Sequence, residues 1–447
     1  MRVLIVGAGP AGSAAAYYLA AAGIDVTVLE KTRFPREKVC GDGLTPRAVR
    51  ELQLLGLPHD GPEWQRTEGL RLLARERKVE VPWGALGGEF PDYGLTRTRW
   101  GFDEELADHA RAAGATILEG HSVTEALTDD TGRVVGVRAA LLDENGRKTG
   151  QVQDFPADVV LAADGNSTRT ALSLGIAKRD DRPLGVAVRT YYTSPRHQEN
   201  WMEGWLELTG PDPRRPLPGY GWVFGVGDGT CNVGLGILNS SKEFGRLDYR
   251  QVLQQWVATM PAEWQFDPEH QVGQIRGAAL PMGFNRTPHY RPGLLLLGDA
   301  GGMVSPFNGE GISYALESAR YAAELLVSAA ALPSRSVLDA AMLRYQERLR
   351  GLWGRHFTLG RGFAELIGHP AVMSLALRTG MPLPFLMRFV VRLMANLTDP
   401  NGKAFGDLTI RALEAFVPAA SNQDSGSSRA GNTAGKPAAA KQDRLDR

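Results

Sequence analysis

Val3 to Val6 is an apolar run with no polar face, the pattern of a parallel strand buried on both sides. It leads into Gly7-Ala8-Gly9-Pro10-Ala11-Gly12, then into an Ala- and Leu-rich stretch that breaks at Gly23, then into a second strand, Asp25 to Leu29, closed by Glu30. Val159 to Ala163 and Leu294 to Leu297 repeat the short buried type and run into Asp164-Gly165 and Gly298-Asp299-Ala300-Gly301-Gly302. Phe102 to Ala113 has helical spacing (Phe102, Leu106, His109, Ala110, Ala113) and stops at Gly114, with a strand from Ala115 to Glu119 after it. Residues 121–155 alternate as a small antiparallel meander around an Asn145-Gly146 turn. Alternation also predicts strands in 66–99 (Leu70, Leu72; Val79, Val81) and in 184–238, where Tyr191, Trp205, Tyr220, Trp222 and Phe224 form either an apolar wall or ordinary core. Asn308-Gly309-Glu310-Gly311-Ile312 opens a long helix to about Ala330, and 336–416 is helical almost throughout. From Pro418 onward large apolar residues are nearly absent, which predicts a disordered tail.

The first thirty residues carry the clearest chemistry. Strand, G-x-G-x-x-G, helix, strand and acid in that order form a βαβ dinucleotide unit. Gly7 permits the tight turn, Gly9 lets a pyrophosphate approach the backbone, Gly12 lets the helix lie close to the sheet, and the helix N-terminus offers free N–H groups. Glu30 accepts from a ribose and repels a 2′-phosphate, which selects FAD or NAD over NADP. Residues 3–24 are apolar enough to resemble a signal peptide or membrane span, but four glycines and a proline interrupt them.

Composition narrows the class. The 447 residues exceed a single core, so two or three lobes are expected. Fifty Lys plus Arg balance fifty Asp plus Glu, leaving no basic field to attract nucleic acid. Two cysteines, Cys40 and Cys231, cannot build a disulfide framework and suit a reducing cytosol. No metal site is expected. Cys40-Gly41-Asp42-Gly43 reads either as a turn or as a loop that lets backbone approach a flat ligand.

Taken as a set, Gly7 to Gly12 with Glu30, Arg99 ahead of Phe102-Asp103, Ala163-Asp164-Gly165 and Gly298-Asp299-Ala300 resemble the FAD-dependent enzymes of the para-hydroxybenzoate hydroxylase type over about residues 1–330. Within them, Lys38-Val39-Cys40-Gly41-Asp42-Gly43 and Tyr220-Gly221-Trp222-Val223-Phe224 resemble the geranylgeranyl reductase branch, and the form Cys-Gly-Asp-Gly-Leu-Thr-Pro is most like its actinobacterial members, menaquinone reductases among them. The resemblance implies an α/β fold: a Rossmann-like FAD domain (1–65, 98–180, 290–332), an inserted antiparallel-sheet substrate domain (66–97, 181–289), a helical region (333–417) and a tail (418–447). It implies saturation of a carbon–carbon double bond in a polyprenyl chain, one isoprene unit of menaquinone first, with a geranylgeranyl lipid or diphosphate as an alternative and a monooxygenase or halogenase as another.

Residue by residue, the resemblance places Ala11 and Glu30 on the adenosine and diphosphate side of FAD, and Arg99 and Val123 by the adenine diphosphate. Cys40, Gly41 and Gly43 fall by the isoalloxazine, Asp299 on the ribityl or diphosphate, and Gly311 and Ile312 near the ring, where helix N–H groups stabilise negative charge. Tyr220, Trp222 and Phe224 line the prenyl channel. Cys40 is a proton donor, a gate, or a small spacer; Cys231 is structural. Two departures stand out: Gly225 replaces the proline that usually follows the phenylalanine, and Asp164-Gly165-Asn166-Ser167-Thr168-Arg169 is a shortened form of the wider group's motif, a marker of fold more than a nicotinamide contact. NAD(P)H reacting transiently, or a ferredoxin, would supply electrons. A prenyl substrate also calls for access to a bilayer. Leu383 to Leu397 carries an apolar stripe (Leu386, Phe389, Val390, Leu393, Leu397) with Arg388 and Arg392 together on another face, which fits either an interfacial helix at a cytoplasmic membrane face or a core helix with solvated arginines.

Overall fold

The structure is a computed structural model that describes residues 1–420 apart from 75–76, 210–215, 218, 241–243, 332–333 and 368. Its central sheet has six strands in the order Tyr290–Arg291, Leu294–Leu296, Val159–Ala162, Arg2–Val6, Asp25–Glu30, Thr116–Glu119. All neighbours are parallel except the edge pair at Tyr290–Arg291. The runs without a polar face have a direct cause, because both faces of the sheet are covered. Val3, Ile5, Val28, Leu161 and Leu295 pack under the helices Pro10–Ala21, Arg99–Ala112 and Ile312–Ala330. Leu4, Val6, Leu29, Val160 and Leu296 pack against the meander His121–Thr128, Val134–Leu142, Lys148–Pro156. The α/β class implied by the family resemblance is thus the observed one.

A second sheet of seven strands runs Gln271–Pro281, Leu184–Thr193, Thr230–Leu238, Gly219–Gly225, Trp201–Trp205, Gly69–Ala74, Arg77–Pro82. Its period of two separates two faces. Val188, Tyr192, Val223, Cys231, Val233 and Leu235 pack with the helix Tyr249–Val257. The alternate positions, among them Tyr191, Tyr220, Trp222, Phe224 and Asn232, face the Cys40–Gly43 loop. Of the strands anticipated in 66–99, Gly94–Thr96 leaves this sheet and joins Gly43–Leu44 and Gln65–Thr67 in a small sheet of its own. The helix expected from Phe102 begins three residues earlier, at Arg99, whose side chain bonds Asp103 one turn on.

The C-terminal helices are Arg335–Ile367, Pro370–Thr379, Pro384–Met394 and Phe405–Ala415. Leu377, Met381, Met387 and Val391 pack on Leu72, Val81 and Met202 of the second sheet and on Trp83 just beyond its edge strand. One element of the expected interfacial pattern is corrected. Arg392 does not sit beside the exposed Arg388 but is buried against Asp407 at 2.6 Å, because Phe405–Ala415 lies across the helix and supplies that carboxylate. Leu397 likewise is core rather than part of an outward stripe. Leu386, Phe389, Val390 and Leu393 are half-buried. Of the segment expected as a tail, Ala420 is buried and its N–H donates to the Gly354 carbonyl at 2.8 Å, while 421–447 lie outside the described residues.

A buried ion pair joins the helices Pro46–Leu55 and Ile312–Ala330, and its arginine also reaches this helical region. Arg47 bonds Glu317 at 2.5 and 2.8 Å and donates to the Asn396 carbonyl at 2.8 Å. Breaking such a pair leaves an uncompensated buried charge, costing about 3–5 kcal/mol. Arg47→Met therefore lowers the melting temperature sharply, and Arg47→Met with Glu317→Leu restores much of the loss; thermal denaturation of both variants checks this, and an unstable double variant contradicts it.

Candidate functional site

Gly7 and Gly12 are held to glycine by geometry. Gly7 has φ 93, and a Cβ on it would stand 2.6 Å from the Ala163 carbonyl oxygen; a Cβ on Gly12 would stand 1.8 Å from the Gly7 oxygen. Gly9 differs, because the space ahead of it is open and rimmed by cations: Arg36 Nη2 lies 3.7 Å and Arg99 Nη2 3.9 Å from where its Cβ would be. Helix Pro10–Ala21 starts there, with no side-chain cap among the described residues and no acid in its first turn. Free N–H groups, the positive helix end and two guanidinium groups thus converge on one spot, a donor set that fits a diphosphate.

The cations are fixed from behind. Arg99 makes a two-pronged bond to Asp103 at 2.5 and 2.7 Å, and Arg36 reaches the same carboxylate at 2.9 Å. Glu30 accepts from the Ala8 N–H at 2.8 Å and from Thr32 N–H and Oγ1 at 3.0 and 2.6 Å. Burial opposes its charge, but Arg36 and these donors outweigh burial and hold the carboxyl below the usual range, so it stays ionised. Ala11 and Ala315 press on Gly298 from two helices, at 3.4 and 3.2 Å from its would-be Cβ. A second edge of the same lobe starts at that contact. Asp299 Oδ1 lies 3.4 Å from where a Gly311 Cβ would stand, beside the start of helix Ile312–Ala330, which again has no acid in its first turn. Lys38 joins this edge; burial pushes its ammonium down against the pull of Asp299.

The aromatic strand closes the other side. A Cβ on Gly41 would lie 3.4 Å from Trp222 Nε1, and one on Gly43 would lie 3.0 Å from Phe224 Cε2. Tyr220 donates its hydroxyl to the Asn308 carbonyl at 2.6 Å, tying the strand to the loop ahead of Gly311. Cys40, Gly41, Gly43, Tyr220, Trp222, Phe224, Gly311 and Ile312 are thereby grouped at one place. Cys40 is half-buried, and burial pushes its thiol up despite the nearby Arg99, so the sulfur keeps its proton at neutral pH. Cys231 is fully buried, pushed up to about 11. Gly225 has backbone of residues 196–199 within 3 Å of its would-be Cβ, so this wall excludes any side chain there. Asp164 is engaged in holding Thr170, at 3.3 and 3.1 Å.

Val123 packs its side chain in the core with Val6 and Leu29. Residue-type reasoning passed over Arg36 and Lys38, which sit in a proline- and glycine-rich loop without periodicity, and Asp42, Tyr191 and Asn232, which form a buried network under Cys40. An asparagine inside an otherwise apolar strand was the available signal for Asn232.

Residues 1–342 match the family described as FAD binding domain. The chain is 36% identical over 400 residues to a menaquinone reductase of Mycolicibacterium smegmatis, covering 89% of this chain and 92% of that one. It is 32% identical over 375 residues to digeranylgeranylglycerophospholipid reductase 1 of Methanopyrus kandleri, covering 82% and 90%. A geranylgeranyl bacteriochlorophyll reductase-like structure from Thermoplasma acidophilum shares the fold at TM-score 0.71 and 22% identity, over 92% of this chain and 95% of that one. The cofactor is FAD. Arg99→Gln is expected to weaken FAD binding by roughly tenfold or more, the size of one lost charge-assisted bond; flavin fluorescence titration measures it, and an unchanged Kd removes Arg99 from the cofactor site. On sequence, fold and cofactor cradle together, the chain belongs to the geranylgeranyl reductase family of FAD-dependent oxidoreductases.

Proposed function

We propose that this oxidoreductase saturates a carbon–carbon double bond of a polyprenyl chain, one isoprene unit of menaquinone being the leading substrate. The observation that carries the reading is the convergence of the Cys40–Gly43 loop, the Tyr220/Trp222/Phe224 face and the Gly311–Ile312 helix start. The names of the relatives at 36% and 32% identity support the same class, the second pointing to geranylgeranyl glycerolipids as the alternative. The halogenase reading is disfavoured by Phe224, which stands where the second tryptophan of the halogenase motif would be.

FAD, when bound, supplies the hydride equivalent that an isolated alkene requires. The chain's residues do the rest. Tyr220, Trp222 and Phe224 line one face of their strand, where they orient a prenyl unit and keep water away. Cys40 holds a proton at Sγ, available to the carbon opposite the one that takes hydride. The helix start at Ile312 offers N–H groups to negative charge on the cofactor side. The single dinucleotide cradle is taken by FAD, so NAD(P)H or a ferredoxin delivers electrons transiently.

The route to substrate is a membrane surface. Among the described residues no helix is long and apolar enough to cross a membrane. The C-terminal helices nevertheless leave Phe385, Phe405 and Phe416 exposed at 71%, 84% and 88%, with Leu375, Leu383 and Leu408. Behind them the apolar cluster runs through Met373, Leu377 and Met387 to Met202 and Phe224. A peripheral attachment that dips these aromatics among acyl chains fits this surface.

Three measurements follow. Mass spectrometry of quinones from a host expressing the protein should show menaquinone heavier by two hydrogens; unchanged menaquinone with altered glycerolipid prenyl chains moves the substrate, and no change in either overturns the reading. Cys40→Ala should slow prenyl reduction by roughly a hundredfold with FAD still bound, whereas full turnover removes Cys40 from proton delivery. Phe385→Ser with Phe416→Ser should release the protein from anionic vesicles in a sedimentation assay, and undiminished binding contradicts the proposed face.

A further inference from the structure

Asp42 lies between two glycines with φ 64, a left-handed backbone uncommon for residues with a side chain, although aspartate is among those that tolerate it. Its carboxyl is 0% exposed. Oδ2 accepts from the Tyr191 hydroxyl at 2.5 Å and from Asn232 Nδ2 at 2.8 Å, while Oδ1 has no partner among the described residues. Tyr191 and Asn232 are directly opposite on neighbouring strands, and Asn232 is opposite Phe224 on the next. One carboxyl therefore grips a row across the sheet.

Asn232 distributes that grip. Its Nδ2 also donates to the Cys40 carbonyl at 2.9 Å, and its Oδ1 accepts from Trp222 Nε1 at 2.9 Å. The Trp222 ring lies across Gly234, where any Cβ would stand 2.3 Å from it, so the indole has little freedom apart from that hydrogen bond. Arg189 Nε donates to the same Cys40 carbonyl at 3.3 Å.

We propose that Asp42 is the positioning residue of the reacting edge, its carboxylate fixing Tyr191 and Asn232 and, through Asn232, both the Cys40 peptide and the Trp222 indole. That these groups flank the reacting double bond rests on the prenyl-reductase reading. The charge matters as well as the shape. Burial pushes the carboxyl up to about 6, against Tyr191, Arg189, Asn232 and Arg99. The charged and titratable groups facing it are Tyr191 and Arg189 from one strand, Arg99 from the helix Arg99–Ala112 and Cys40 from its own loop, with Glu37 behind Arg189 at 2.7 Å. A folded value above the ordinary carboxylate range means that the group's contribution to stability is present at low pH and is lost as pH rises through about 6. At neutral pH the site thus keeps a carboxylate against the preference of the fold, the signature of a group retained for function.

Asp42→Asn tests this cleanly, since an amide oxygen in place of Oδ2 can accept both donors while the charge disappears. In the holoenzyme it should melt at a higher temperature at pH 7.5, the gain shrinking as pH falls through 6. It should lower kcat for prenyl reduction tenfold or more with KM within about threefold, and abolish a transition near pH 6 in the visible spectrum of bound flavin. Tyr191→Phe, the second variant, should move that transition upward. A lower melting temperature with unchanged kcat makes Asp42 structural glue and overturns the proposal, as does a transition that persists in Asp42→Asn or is unmoved by Tyr191→Phe. If the wild type reduces no prenyl chain, the prenyl reading fails, while the flavin titration and the melting curves still judge Asp42.

Discussion

Two helix starts converge on Gly298, where no side chain intervenes. The methyl groups of Ala11 and Ala315 fill the space a Cβ on Gly298 would need, from Pro10–Ala21 and Ile312–Ala330, elements about three hundred residues of chain apart. Side chains at a helix contact set how near two axes come, and small residues bring them close. This approach places the start of both helices on one side of the six-stranded sheet. Two positive helix ends, with Arg36, Arg99 and Lys38 nearby, form an extended positive edge whose donors fit the anionic and electron-rich parts of one cofactor. Gly7 and Gly12 serve the same purpose on a smaller scale, each keeping a backbone where a side chain would block it.

The second sheet depends on this cradle for its meaning. Its helix-packed face is ordinary apolar core; its other face is populated by Arg189, Tyr191, Asn232, Trp222 and Tyr220, each hydrogen-bonded to the Cys40 loop, to a partner in this network or to the Asn308 carbonyl. Glycines 234 and 236 on that face give the indole its berth. This edge is thus assembled from three stretches far apart in sequence, and each contributes by hydrogen bonds as much as by apolar contact. Buried polar networks of this kind specify one arrangement only when their members are satisfied, which makes the unpartnered oxygen of Asp42 informative.

Much of the architecture was legible from local pattern. Val3–Val6, Val159–Ala162 and Leu294–Leu296 read as strands buried on both faces because they are, and Asn145-Gly146 marked a hairpin because Gly146 supplies the left-handed φ of its turn. The glycine fingerprint located the cradle. What pattern could not carry was pairing at a distance. Arg392 looked like a solvated cation on a helix face, and only the approach of Asp407 from the next helix makes it a buried pair. Tyr191 and Asn232 looked like strand residues among others; their opposition across two strands beneath Asp42 is a matter of register, which the sequence does not display.

Where the reducing equivalents go distinguishes prenyl reduction from oxygen chemistry. Anaerobic mixing of the pre-reduced holoenzyme with menaquinone, followed by flavin absorbance and by mass spectrometry of the quinone, tests this directly. The flavin should reoxidise without oxygen and yield one saturated isoprene unit per flavin. Flavin that stays reduced under nitrogen, and reoxidises on admitting oxygen with a hydroxylated product, would contradict the account.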